Sequence, residues 1–394
     1  MVRRRLSPWY GGWDAPRVGH YHTTMTLRTF ALLVVLAGTL ARGEGLVQSD
    51  VFAAGQDGYH TFRIPAMVVT TKGTVLAFAE GRKNGRGDSG DIDLVARRST
   101  DAGRTFSPTQ VLWDDAANTC GNPAPVVDRK TGTVWLLMTH NHGTAIEKEI
   151  TENKAGAPRT VWITHSDDDG VTWAKPTEIT ADAKDPGWTW YATGPGAGIQ
   201  LKSGRLVIPC DHKRPGDHGY AHVIYSDDSG KTWKLGGSVG PNTNECRVVE
   251  LSDGRLMLNM RNYGIRTADA AKLGRAISIS ADGGLTWSPV AHDSTLIEPV
   301  CQASLIPGPA VDGRATFLFA NPASAKRENL TVRLSLDDCK TWPRSVVLHA
   351  GPAAYSDLAL LADNTILCLY ERGTKSPSER ITLARLRVED LKAR

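Results

Sequence analysis

The chain has 394 residues, 41% hydrophobic and 22% charged, with 39 Gly and 11 Trp, a composition that excludes disordered and fibrous classes. Lys+Arg 46 against Asp+Glu 42 leaves a formal +4, too small a surplus to argue for nucleic acid or an anionic membrane surface. The surplus is also local: six arginines against Asp14 give residues 1–43 a charge of +5, so the other 351 residues carry −1.

In chain order, the first feature is the apolar run Phe30 to Leu40 (FALLVVLAGTL), preceded by basic residues and followed by Ala41-Arg42-Gly43. A basic region, an apolar core and a small-residue end form the pattern of an export signal. The run falls well short of the roughly 20 residues that span a bilayer, so no transmembrane anchor is expected. Residues 1–45 are read as a leader, with Met25 as an alternative start, and residues 46–394 as an exported single domain, secreted or periplasmic.

Two repeats alternate from there. One is a turn followed by a short apolar strand: Gly73-TVLAFA, Gly132-TVWLLM, Gly204-RLVIP, Gly254-RLMLNM, Gly313-RATFLF and Asn364-TILCLY. The other is Ser-x-Asp-x-Gly-x-Thr-Trp, beginning at Ser99, Ser166, Ser226, Ser280 and Ser335, with Phe106 for Trp in the first copy and Cys339 for Gly in the fifth. It has hairpin-turn chemistry: the Asp accepts local backbone N–H groups, the Gly takes positive φ, and the Trp fills an apolar gap. Six units of roughly 50–60 residues predict an all-β fold, a six-bladed β-propeller of four-stranded antiparallel blades. The missing sixth Asp turn predicts a last blade completed by a strand near Leu46–Phe52, which removes a sheet edge. Ala145 to Lys154 is the one helix expected. The six cysteines lie too far apart for a CxxC pattern, and Cys210 and Cys368 sit in apolar strands, so buried free thiols are expected, with no zinc site. No calcium-ligand spacing appears either, so neither metal nor cofactor is expected.

The Asp turns recur, whereas a catalytic site occurs once, so its residues should break the repeat. Arg63 (YHTFRIPA), Arg82 (AFAEGR), Arg261 (after LNM) and Arg327 (after FLFANP) do so. Three guanidiniums from different blades facing one axis make a planar receptor for a carboxylate. Asp88 lies in the loop NGRGDSGD, Glu245 in NECRVVEL and Tyr355 in GPAAYSDL. A phenol attacks only when a neighbour takes its proton, and Glu245 can do so.

These segments, from FRIP at Phe62 to YERG at Tyr370 and in this order along the chain, resemble the exo-α-sialidases of the Asp-box, six-bladed propeller type. The resemblance implies that Arg63, Arg261 and Arg327 are an arginine triad, Tyr355 the nucleophile, Glu245 its partner and Asp88 the acid/base, with Asp91 and Asp93 close enough to compete for that role. It implies Glu80 as the residue orienting Arg82, against a surface ion pair, and Gln302, Tyr191 and its neighbour Trp190 as pocket wall, against core packing. The implied activity is retaining hydrolysis of terminal α-linked sialic acids from sialylated glycans by a monomer. Trans-sialidase and intramolecular trans-sialidase chemistry are alternatives, and a non-catalytic sialoglycan-binding propeller is the rival from another class.

Overall fold

In the computed structural model, residues 46–267 and 274–393 are described; the leader over residues 1–45, including Met25, lies outside them. The fold is all-β. Strands Thr61–Val69, Val75–Arg82, Ile92–Ser99 and Gln110–Trp113 pair in succession, all antiparallel. The same succession follows in Thr119–Val127, Val134–Asn141, Thr160–Ser166 and Thr177–Glu178, and again in Thr243–Glu250, Leu256–Asn262, Arg275–Ser280 and Ala291–Asp293. In the third ladder Leu206–Lys213 pairs with two short strands, Trp190–Thr193 and Ile199–Gln200, before Tyr220–Ser226 and Lys234–Val239. The fifth ladder holds Ser304–Pro307, Phe317–Pro322 and Glu328–Ser335, and the long strand Arg344–Leu360 passes from it to Ile366–Arg372 and Arg380–Leu386. Val47–Ala53 pairs with Arg380–Leu386, Val47 opposite Arg385 and Ala53 opposite Arg380, so the first strand does complete the last ladder.

Apolar clusters sit between consecutive ladders. Phe78 and Leu94 pack with Leu136 and Met138, Leu137 and Ile163 with Leu206 and Ile224, and Val207 and Val223 with Leu256 and Leu258. Val249 and Met257 pack with Leu305 and Phe319, and Leu318 and Leu334 with Ile366 and Cys368. The last cluster joins the ends of the chain: Phe62 and Met67 pack with Phe52, Leu367, Leu369 and Leu383.

The Asp turns brace these seams. In the first, Asp101 Oδ2 accepts from Thr105 Oγ1 at 2.6 Å, Asp101 Oδ1 accepts from the Thr105 N–H at 2.9 Å, and Ser99 Oγ accepts from the Gly103 N–H at 2.8 Å. Gly103 has φ +78°, and a Cβ there would lie 2.5 Å from Leu383 of the last ladder; Gly170 in the second turn meets Leu76 in the same way, at 2.7 Å. Cys339 adopts φ 64° in the fifth copy and its N–H still reaches Ser335 Oγ at 3.0 Å, so the turn keeps its shape at the cost of a strained non-glycine residue. All six cysteines are buried free thiols. Glu147–Thr151 is helical within the expected stretch, and a second helical turn, Thr180–Ala183, was not expected: four residues are too few to display a 3.6-residue period.

Candidate active site

Four ladders carry a β-bulge near the start of the first strand, between Arg63 and Ala66, Gly121 and Ala124, Thr243 and Cys246, and Ala353 and Ser356. A bulge re-aims side chains out of the alternating pattern. Here it delivers Arg63 and Ile64, Asn122, Asn244 and Glu245, and Tyr355 into one cavity, which Arg82, Asp88, Arg261 and Arg327 also line. Ile64 takes φ 60°, unfavourable for a β-branched residue, and its N–H is held by Glu371 Oε1 at 2.9 Å.

Tyr355 is 6% exposed and donates its hydroxyl to Glu245 Oε1 at 2.5 Å. Arg261 Nη1 bridges the pair, 2.7 Å from Glu245 Oε2 and 3.3 Å from the Tyr355 oxygen. The guanidiniums of Arg63 and Arg327 lie 5.1 and 5.7 Å from the centre of the Tyr355 ring. Burial first, then the Glu245 carboxylate, push the Tyr355 phenol well above its ordinary value of 10, against the opposing pull of Arg261. Arg63 is fixed by a fork to Glu371, 3.0 Å from Nε and 3.1 Å from Nη2. Arg327 donates to Val300 O at 3.3 Å and has no carboxylate partner among the described residues.

Arg82 and Glu80 are buried, which excludes a surface ion pair: Glu80 Oε2 accepts from Arg82 Nε at 3.0 Å and Nη2 at 2.6 Å, and Oε1 accepts from the Asn122 N–H. Arg82 Nη1 then reaches Asp88 Oδ1 at 2.8 Å, with Arg63 Nη1 3.5 Å from the same oxygen. The Asp88 side chain is 70% exposed at the cavity mouth. Partial desolvation raises its pKa, but Arg82 and Arg63 outweigh that and hold it below the usual carboxylate range. Asp91 and Asp93 are elsewhere, both ion-paired to Lys83 Nζ, at 3.0 and 3.1 Å.

Two expectations need correction. Tyr191 is fully buried in the cluster around Leu206 and Ile208 and does not line the cavity; strand alternation turns its neighbour Trp190 there instead. Gln302 is 1% exposed and its amide is occupied by the backbone of Ser356, Nε2 to O at 3.0 Å and N–H to Oε1 at 3.0 Å, so it braces the strand bearing Tyr355 rather than the cavity.

Sequence reasoning also missed residues. Glu371, which holds Arg63, Ile64 and the Tyr355 N–H together, was visible as an acid inside ILCLYER. Asp211 was visible as an acid inside LVIPCDHK; it is fully buried, accepts from Asn244 Nδ2 at 2.6 Å, leaves Oδ2 unpartnered, and is held well above the ordinary carboxylate value by burial. Arg159, buried 4.3 Å over the Trp190 ring, had no sequence signal, since it lies in a loop before its strand.

Fold and site thus define an all-β, repeat-built protein whose bulged strands line an arginine-rich cavity. Residues 73–368 match the family model of a BNR repeat-like domain. The chain is 37% identical to a sialidase of Micromonospora viridifaciens over 84% of this chain and 53% of that protein, and 34% identical to an exo-alpha-sialidase of Aspergillus fumigatus over 76% and 73%. A solved Hadza microbial sialidase, Hz136, superposes with a TM-score of 0.79 at 34% identity, over 88% of this chain and 69% of that one. The chain therefore belongs to the sialidase family, and it spans about half the length of the Micromonospora relative.

Proposed function

We propose that the protein is a retaining exo-α-sialidase, a single catalytic domain over residues 46–394 behind an export leader, which removes terminal sialic acids from sialylated glycans. The observation that carries this reading is the 2.5 Å hydrogen bond from Tyr355 to Glu245 in a cavity also lined by Arg63, Arg261 and Arg327. Sialic acid bears a carboxylate on its anomeric carbon. A carboxylate nucleophile would approach against that charge, whereas a neutral phenol would not.

In this mechanism the three arginines bind the substrate carboxylate. Tyr355 attacks the anomeric carbon as its proton passes to Glu245, and Asp88, protonated, gives its proton to the departing glycosidic oxygen. A tyrosyl-sialoside forms; Asp88 as carboxylate then activates water, which displaces the tyrosine with net retention. Asp88 is ionised at neutral pH in the free site, because Arg82 and Arg63 stabilise its charge. A bound substrate carboxylate neutralises Arg63 and so favours the protonated acid that the first step needs.

The same reading closes the sheets into a six-bladed ring with the cavity on its axis; the apolar seam joining Phe62 and Met67 to Leu367 and Leu383 supports closure. The test is incubation with 2,3-, 2,6- and 2,8-linked sialosides, with and without lactose, and identification of the products. Free sialic acid is expected. Sialyl transfer to lactose or an internal anhydro-sugar would reassign the second step, and no release from any substrate would overturn the enzyme reading in favour of a binding propeller.

A further inference from the structure

Asp88 and Glu147 line the catalytic cavity and also a second one, of about 600 Å³, walled further by Ser89, Ile146, Lys148 and Glu152. It lies between the loop bearing Asp88 and the helix Glu147–Thr151, which sits in the long connection from Val134–Asn141 to Thr160–Ser166. The corresponding connections elsewhere are shorter, residues 83–91 between Val75–Arg82 and Ile92–Ser99 and residues 214–219 between Leu206–Lys213 and Tyr220–Ser226, so the helix is an addition to the repeat. It is anchored: Ile150 is 1% exposed in a cluster with Ala145 and Trp190, and Lys213 Nζ meets Glu147 Oε1 at 2.5 Å. Ile146, by contrast, holds 47% of its surface in solvent beside Lys148.

We infer that this second cavity receives the leaving saccharide of the substrate, with Ile146 and Lys148 as its specificity-determining wall. The inference rests on the hydrolase reading above. A general acid must lie within hydrogen-bond reach of the oxygen it protonates. The bond that breaks therefore lies at Asp88, with the acidic sugar on the arginine side and the alcohol half beyond. The second cavity is the space that shares Asp88. Its size suits a ligand of one or two sugar rings. The cavity exposes more apolar than polar surface, giving a ring's C–H face a patch centred on Ile146, and the charged and hydroxyl groups of Asp88, Ser89, Lys148 and Glu152 around it offer hydrogen bonds to ring hydroxyls.

The test compares two substrates whose leaving groups both need a proton but differ in bulk: methyl α-sialoside, with nothing to fill the second cavity, and a sialyl-oligosaccharide. The measured quantity is the ratio of kcat/KM for the oligosaccharide to that for the methyl glycoside. Ile146→Ala and Lys148→Ala are each expected to lower the ratio about fivefold or more, through the oligosaccharide's KM. Both side chains are exposed, so neither truncation threatens the fold. Val171→Ala, an equally exposed apolar residue in an Asp turn, is the control for surface truncation. Ratios unchanged in both variants, or a ratio changed as much by the control, would overturn the inference while leaving the hydrolase reading standing. A wild-type protein that cleaves neither substrate would instead overturn that reading.

Discussion

Tyr355 is held neutral by burial and by the Glu245 carboxylate, yet its hydroxyl is already aligned on the group proposed to take its proton. Phenylalanine removes the attacking oxygen and leaves the packing around the ring in place. Tyr355→Phe is therefore expected to lower kcat on sialosides by about 10³-fold or more while circular dichroism remains native; full turnover would refute the assignment. Asp88 gives the pH dependence. In the proposed mechanism it acts as the acid, so activity falls as pH rises through its pKa, and Arg82 depresses that pKa. Arg82→Gln removes the charge and raises the pKa, so the alkaline limb of kcat/KM should move to higher pH. A limb that stays or moves down in a pH-rate profile would exclude Asp88 as the acid. Arg63, Glu245, Arg261 and Tyr355 were legible because each is a polar group where a strand pattern calls for an apolar one, whereas Asp88 and Arg327 precede strands and drew their roles from the family resemblance. Glu371 gave the same signal and was passed over, because its partner Arg63 is 308 positions away and the pair exists only once the chain ends meet. Of the expected pair Trp190-Tyr191 only Trp190 lines the cavity, for a reason that sequence leaves open: alternation says that neighbours face opposite ways, not which one faces the cavity.

The element that carries Asp88 is a loop, and loops need anchoring to place an acid. Its base is closed by the Lys83 N–H on Asp91 O at 3.0 Å. The Lys83 ammonium then ties Asp91, Asp93 and Asp114 together at 3.0, 3.1 and 3.3 Å, with Tyr59 donating to Asp93 at 2.7 Å. Those three carboxylates lie close enough to cage a cation, and the lysine is the cation already among them. Lys83→Met removes the cation and leaves the acids repelling one another, which loosens the loop. Lys83 is thus a positioning residue, and its loss should follow the need for proton donation: kcat falls about tenfold or more for a sialoside with a poor, alkyl-alcohol leaving group and far less for one that leaves as a stabilised phenolate. Lys83→Arg should restore most of it. Equal losses on both substrates would reduce Lys83 to a role in stability. At this scale the Asp turns were the most legible elements, since their hydrogen bonds are local and five copies repeat them. The cage was not, because Asp114 joins it from beyond the strand Gln110–Trp113, two strands further on, and no spacing rule marks it.

Across the whole molecule, the repeats announced an architecture in which each ladder leans on the next, and the seams follow that order. What sequence could not specify is the polar hub where distant ladders meet. Asp357 is fully buried and accepts from the N–H groups of Met67 at 2.9 Å and Ala197 at 3.0 Å and from Ser304 Oγ at 3.1 Å, with Arg247 Nη1 3.1 Å away. It read as part of a motif, and its four partners lie on four other ladders or the segments entering them. In the proposed ring, the pairing of Val47–Ala53 with Arg380–Leu386 covers an edge through which water would otherwise reach such a hub. Phe52 tests this. It is 1% exposed, packs 5.0 Å from Phe62, and belongs to the strand that completes the last ladder. Phe52→Ala should destabilise the protein by about 3–5 kcal/mol, the ordinary cost of emptying a buried aromatic site. If the sheets close as proposed, that loss cannot stay local: releasing Val47–Ala53 exposes the edge of Arg380–Leu386 and opens the seam against the first ladder, so thermal unfolding should remain one cooperative transition at a lower midpoint. A variant that frays near its first strand, seen as fast amide exchange confined to residues 47–53, while its main transition stays at the wild-type midpoint, would show that the strand decorates the ring rather than closing it.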